Sequence, residues 1–553
     1  MTDTHTPLPG SRRVPLAGSR AIGPANPDAV FDVTLKLRRR AQPPDSALTS
    51  SAPLTREELA AQYGATPGDI DAVTKAFAKF GLKPVETNAA TRTVVLSGRT
   101  QDMEAAFDTK LFHYEHEQGD FRGRVGEISV PNEVANIVEG VFGLDERRVA
   151  LRRRRHPAER VVTSRVTAAA AHIPSSWYTP AQLAKHYKFP EGDGSGQVIG
   201  ILEFGGGFFP NDLQSFCQLT STPVPTVKAV SVDGTPTSAK DGAEGEVMLD
   251  VEVVAGVCPK ATIVVYFAHW SERGWLNVLD AVMTDKQNNP GIISISWGAP
   301  EDTDIWTLAG IRQVEQSFKD AAMLGVTVCV AAGDDGSGDG YQDGHAHADF
   351  PACSEYVLAV GGTTITSKTA PSDVVWFEHN GVRPKGGSTG GGVSAVIPRP
   401  AWQSGIHIKS VNPRAIVGRC IPDISANADW DVSPYLLVVD GGAEPNGGTS
   451  AATPLTASLV ALLNAKLGKR LGYLTPKLYE TVAGGSQTVG QAGCTDVTTG
   501  NNTTAHAGGY SATAGYDAVS GWGTPNGLSL LAALTSPVAS AHTMATTPGV
   551  VTS

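Results

Sequence analysis

The sequence predicts an α/β protein, a doubly wound and mostly parallel sheet domain preceded by a smaller α/β domain. Three observations predict it. From about residue 175, short continuous apolar runs recur: VIGILEFGGG, ATIVVYFA, IISISWG, VTVCVAAGDDG, YVLAVGG and YLLVVDGG. Strands covered on both faces read this way, and the helical stretches between several of them supply the crossovers that parallel strands need. Ahead of them, residues 27–146 mix shorter strands with capped helices. Between the two lies a charged, weakly apolar segment, residues 147–170, with the composition of a linker open to proteolysis.

The elements follow in order. Residues 1–26 read as a disordered N-terminus. Phe31 to Leu37 alternates like a strand. Thr55 and Glu58 form a capping box for EELAAQYG, and Thr66-Pro67 opens a second helix with Gly81 just past its end. TRTVVLSG reads as a strand and TQDMEAAFDTKL as a helix. In the larger domain, residues 171–536, Thr179-Pro180-Ala181-Gln182 starts a helix with proline in its first position. The final stretch, 537–553, is a Ser/Thr/Ala tail that reads as disordered.

Composition narrows the function. The first 170 residues hold 24 Lys and Arg against 21 Asp and Glu, while the remainder hold 20 against 34. An acidic body without a basic stripe argues against nucleic acid as a partner, and a basic leading segment can dock on it electrostatically. No apolar run reaches the length of a membrane helix, and no ordinary secretory signal is visible at the start. All six cysteines lie in the second part, none as C-x-x-C, which argues against a zinc or thioredoxin-type site and leaves their pairing open.

Gly447-Gly448-Thr449-Ser450-Ala451-Ala452 carries the most chemistry. It places a hydroxyl between a glycine turn and a small-residue helical run. There the free N–H groups and the helix dipole favour a developing oxyanion. Thr449 or Ser450 as a plain N-cap is the competing reading. A nucleophilic serine needs a base, and none of the 13 histidines sits in a motif of the H-G-T-H kind at a strand end. His345 and His347 read as surface residues of a Gly/Asp-rich loop. The chain offers Glu246 and Asp250 instead. On a helix, four residues apart, they would share a face at about 5–6 Å and titrate as a pair. The run also alternates as a strand would, which would set them about 13 Å apart. Asp334 follows a buried strand, as an oxyanion donor or as a turn residue. Glu203 and Trp297 also fall at strand ends, where functional residues gather in such folds.

Taken together, ILEFGGGF, GEVMLDVEVVAG, SISWGAPED, AAGDDGSGDG, HADFPA and GGTSAATP resemble the sedolisin family of serine-carboxyl peptidases, and its kumamolisin branch in particular. The resemblance covers nearly the whole chain. It implies a subtilisin-like catalytic domain behind a small, ferredoxin-like activation prodomain that serves as intramolecular inhibitor and chaperone. It also implies self-processing between about Val166 and His172. By matching positions, Ser450 is the nucleophile, Glu246 the general base, Asp250 its partner and Asp334 the oxyanion-hole acid. Glu203 and Trp297 match a network behind Glu246, and Asp349 a residue lining the substrate pocket. One Ca²⁺ is implied near the C-terminus, held by Asp496, Val497, Thr513, Gly515 and Asp517. The chain departs from the family's usual turn at Gly447, where serine is common, and at Thr513, where glycine is.

The activity implied is an acid-active endopeptidase on proteins or peptides, extracellular and monomeric, made as a zymogen. The alternative is a catalytically silent relative that binds peptides or a protein partner through the same cleft.

Overall fold

The computed structural model describes residues 4–48, 52–150, 173–378, 387–504 and 507–537. The segment expected to carry the processing bond and nearly all of the C-terminal tail lie outside the described residues.

An eight-stranded sheet organises the larger domain. In spatial order its strands are Thr226–Ser231, Thr262–Phe267, Val198–Glu203, Ile292–Ile295, Thr327–Ala331 and Leu358–Ile365. Ile424–Asn427 then pairs parallel with the last of these and Asp373–Val375 antiparallel. The central strands are fully buried, which is why each reads as an unbroken apolar run. Helices Glu244–Val257 and Thr449–Leu467 pack together on one face, over a core that includes Met248, Val251, Leu455 and Leu459. Helices Glu272–Thr284 and Leu308–Met323 cover the other, around Trp275, Leu279, Val314 and Phe318. The doubly wound arrangement is therefore present. One expected strand falls elsewhere: Tyr435–Val439 leaves the parallel sheet and forms a hairpin with Gly442–Asn446. Thr226–Ser231 takes the edge instead, its exposed residues too polar to mark it in the sequence.

The leading domain has its own core and a four-stranded antiparallel sheet in the order Lys83–Asn88, Thr93–Arg99, Val30–Leu37, Val138–Phe142. Both expected N-caps form: Thr55 and Glu58 make a reciprocal capping box, and the Thr66 side chain accepts from Asp69 N–H. The N-terminus departs from expectation. His5–Pro7 pairs with Ser129–Pro131, and Arg20–Pro24 pairs with Phe112–Glu115. Residues 4–24 are thus an ordered strap. Their local sequence is weakly apolar, but strands elsewhere in the domain supply the hydrogen-bond partners.

Ion pairs stitch the two domains. Lys36, buried, binds Asp280 at 2.7 Å, and Arg39 binds Asp320 at 2.8 Å. From the strap, Arg13 binds Glu272 at 2.7 Å and the carbonyl of Ile305, while Ala309 N–H donates to Gly10 O. The basic-to-acidic docking expected from composition is realised in these pairs.

Candidate functional site

Helix Thr449–Leu467 starts at Gly448, which sits at φ +89°. Neither Thr449 nor Ser450 caps it. The Thr449 hydroxyl instead donates to Asp334 Oδ1 at 2.7 Å, and Thr449 N–H donates to the same oxygen at 2.8 Å. Asp334 is thereby fixed beside the first turn of the helix that carries Ser450. A Cβ on Gly448 would stand 2.7 Å from Asp334 Oδ2, so only glycine fits between the two.

Glu246 and Asp250 lie on helix Glu244–Val257, so the helical reading holds and the two share one face. Asp250 is wholly buried, and its Oδ2 accepts from Ser296 Oγ at 2.7 Å. Glu203 is equally buried and accepts from Trp297 Nε1 at 2.9 Å. Burial pushes both carboxyls well above their usual range. The charge on Glu246 adds to the shift of Glu203, and Glu203 and Glu246 together add to that of Asp250. Carboxyls in such a group hold protons in common rather than one by one.

Ser296 is a residue the sequence reading passed over. Besides Asp250, its hydroxyl reaches the carbonyl of Ser450 at 3.3 Å, and Ser450 Oγ donates to the carbonyl of Ser296 at 3.5 Å. The nucleophile candidate and the carboxyl group thus meet across one strand end. Ser296 and Trp297 are adjacent, and each donates to one carboxyl. A strand-end Ser-Trp facing an acidic helix is the signal that could have found it.

Asp349 is buried in a short strand paired with Ala299–Pro300, directly after Trp297 and Gly298. Its Oδ1 lies so close to Gly298 that a Cβ there would come within 2.2 Å. The structure therefore brings Asp349 to the same loop as Trp297. His347, read as a surface residue, is buried between Asp302 at 2.6 Å and Asp343 at 3.1 Å. Burial lowers its pKa, but the two carboxylates outweigh this and raise it to about 9. All six cysteines are free thiols.

The five residues expected to hold calcium converge. Asp496 Oδ2 accepts from Gly515 N–H at 2.8 Å, and Asp517 Oδ2 from Thr513 N–H at 2.9 Å. The Val497 carbonyl is tied to Ser520 Oγ, which also donates to Asp517. Burial raises the Asp517 carboxyl, a penalty that a cation beside it would offset. No group of three or more His, Cys, Asp or Glu forms a metal cluster among the described residues. The oxygens seen together are two carboxylates and, through Ser520, the Val497 carbonyl, of the kind a hard cation takes, while Thr513 and Gly515 turn their N–H groups to the carboxylates.

Comparison with known proteins agrees with this architecture. Residues 18–147 match the family described as Pro-kumamolisin, activation domain, and residues 234–507 match the subtilase family. The chain is 42% identical to kumamolisin of Bacillus sp. (strain MN-32) over 534 residues, covering 93% of each chain. It is 28% identical to sedolisin of Pseudomonas sp. (strain 101), covering 89% of this chain and 84% of that one. Among solved structures, Pseudomonas sedolisin, a serine-carboxyl proteinase complexed with pseudo-iodotyrostatin, superposes with a TM-score of 0.55 at 27% identity. It covers 64% of this chain and 97% of that one. A subtilisin-like catalytic domain behind an activation domain of the kumamolisin type, with this extent of identity, places the chain in the sedolisin family of serine-carboxyl peptidases.

Proposed function

We propose that the chain is an acid-active endopeptidase made as a self-processing zymogen, with Ser450 as nucleophile. The observation that carries this is the hydrogen-bonded contact of Ser450 and Asp250 with Ser296, where Glu203, Asp250 and Glu246 gather near a serine on a helix's first turn. Glu246 takes the proton from Ser450 Oγ as it attacks the scissile carbonyl, and returns it to the leaving amine. Asp250 and Glu203 share protons with Glu246 and set its basicity. Asp334, in its protonated form, donates to the oxyanion beside the helix N-terminus, and losing such a donor typically costs about 10²–10³ in rate. Asp349 lines the pocket for the substrate side chain.

Calcium, when bound, supplies a cross-link between the loops of Asp496 and Asp517, with Val497, Thr513 and Gly515 offering carbonyls. Substrates are proteins or peptides, and the enzyme acts outside the cell as a monomer. No helix among the described residues is long and apolar enough to cross a membrane.

Because carboxyls replace histidine as base, activity should follow a bell centred around pH 3–5. Intact-mass analysis after incubation at about pH 4 and about pH 7, with Ser450→Ala, Glu246→Ala and Asp334→Ala alongside, tests the reading. Wild type alone should lose its leading segment, at acid pH, with a new terminus between Val166 and His172. Retained cleavage in any variant removes that residue from its role, and an optimum near neutrality defeats the mechanism.

A further inference from the structure

We propose that Ser296 is a positioning residue of the carboxyl network, whose hydroxyl turns Asp250 so that Oδ1 is presented to Glu246 while Oδ2 is tied to the main chain of the nucleophile. The inference rests on the Ser450–Glu246 reading above and adds a residue to it.

Asp250 has two carboxyl oxygens with different fates. Oδ2 receives the Ser296 hydroxyl at 2.7 Å. Oδ1 is buried and has no hydrogen-bond partner among the described residues. The same asymmetry recurs at Glu203, where Trp297 Nε1 holds Oε2 and Oε1 is left without a partner. Ser296 and Trp297 are consecutive residues just past the end of strand Ile292–Ile295. The pair therefore acts as a two-pronged donor that fixes one oxygen on each of two carboxyls. The two oxygens left over are the ones available to exchange protons with Glu246. Glu246 lies one turn before Asp250 on the same helix, and Glu203 comes from the adjoining strand. These two are the charged groups acting on Asp250, and the first turn of the 449–467 helix brings only Thr449, Ser450 and alanines. Ser296 is itself 1% exposed, so no water competes for its hydroxyl from bulk solvent. The single hydroxyl proton is given mainly to Asp250 and shared weakly with the Ser450 carbonyl at 3.3 Å, while the Ser296 carbonyl accepts from Ser450 Oγ, so this residue is where base and nucleophile meet.

The hydroxyl stabilises the ionised form of Asp250. Removing it leaves the carboxyl without a donor, so the network keeps its proton to higher pH. For Ser296→Ala, the acid limb of kcat/KM should move up by about one pH unit and kcat fall about tenfold, with KM within about twofold. Ser296→Thr, which keeps the hydroxyl, should restore the limb. Peptide turnover measured across the acid range for wild type, both variants and Ser450→Ala decides it. An unshifted limb in Ser296→Ala, or equal impairment of the Ala and Thr variants, overturns the proposal and leaves Ser296 as packing. If Ser296→Ala does not fold, Ser296→Cys, a weaker donor of similar size, must show the limb shift, and its absence is equally fatal. Turnover by Ser450→Ala would instead refute the underlying nucleophile assignment, whatever Ser296 does.

Discussion

Glu301 allows a stability prediction with a fixed sign. Its carboxyl is buried, accepting from Ser394 Oγ at 2.6 Å, Ala395 N–H at 2.5 Å and Cys353 Sγ at 3.2 Å, with no cation in contact among the described residues. Burial pushes its pKa up to about 7. In the unfolded chain a glutamate releases its proton near about 4.3. Between these values the folded state binds the extra proton, so each pH unit gained favours unfolding by about 1.4 kcal/mol, roughly 4 kcal/mol in all, of which roughly 3 kcal/mol is lost by pH 7. The stabilisation is complete below about pH 4.3 and is lost as pH rises through about 7. Glu301→Gln mimics the neutral acid. Its amide can donate to Ser394 Oγ while its oxygen accepts from Ala395 N–H. In a Ser450→Ala background that prevents self-cleavage, urea unfolding at pH 4 should give the same stability for both chains within about 1 kcal/mol. At pH 7 the Gln chain should be the more stable by roughly 3 kcal/mol. A Gln chain with the same pH slope as its parent, or one less stable at pH 7, refutes the reasoning.

Three further outcomes are expected. Arg13→Ala breaks a buried pair across the domain seam, a loss typically costing about 3–5 kcal/mol, so the full chain should self-process faster and at higher pH; an unchanged time course by intact mass would show that the strap holds nothing. Gly448→Ala places a methyl 2.7 Å from Asp334 Oδ2 at a left-handed residue, and kcat should fall by about 10² with the fold retained by circular dichroism; near-normal turnover would mean Asp334 does not serve the oxyanion. Chelation should lower the thermal midpoint, since a ligand at a hundred times its Kd contributes about 2.7 kcal/mol; Asp517→Asn should abolish that response, and a midpoint indifferent to chelator removes the calcium site.

How far the sequence could be read depended on whether the cause was local. The capping boxes at Thr55 and Thr179 were legible because all their hydrogen bonds lie within four residues. The central strands were legible because burial on both faces leaves no polar alternation. The helix carrying Glu246 and Asp250 was ambiguous for that same reason: nearly every residue from Val247 to Val257 is buried, so apolar periodicity carries no signal of 3.6. What could not be read was pairing at a distance. Tyr435–Val439 has the apolar content of a sheet strand, and nothing in it says that its partner is the next segment rather than the sheet. The N-terminal strap looks disordered alone and is ordered by strands far along the chain, Phe112–Glu115 and Ser129–Pro131. Ser296 is one serine among many until the fold sets Asp250 opposite it.

Two kinds of buried carboxyl, one without a cation and one paired, bear on how the zymogen opens; the paired kind also occurs inside the catalytic domain, where Asp423 binds Arg419 at 2.6 Å. Inside the catalytic domain, Glu203, Asp250, Glu252 and Glu301 are pushed up by burial, and none of them forms an ion pair to a cation among the described residues. Acid suits them, because the neutral form is the one the core accepts. At the seam the opposite holds. Burial would raise Asp145 too, but Arg13 and Arg147 outweigh it and hold its pKa at about 2. This contribution is present above about pH 4 and is lost only as pH falls toward 2. At about pH 3–5 the anchor at Asp145 is therefore still largely ionised, while burial keeps the catalytic-domain carboxyls in their neutral form. Acid then cannot free the strap by titrating this anchor. We therefore expect the linker to be cut first, the severed domain leaving afterwards because its contacts have become intermolecular and subject to dilution. A chain with an uncleavable linker should accordingly stay silent towards peptides at pH 4, and measurable turnover by such a chain would show that titration alone releases the leading domain.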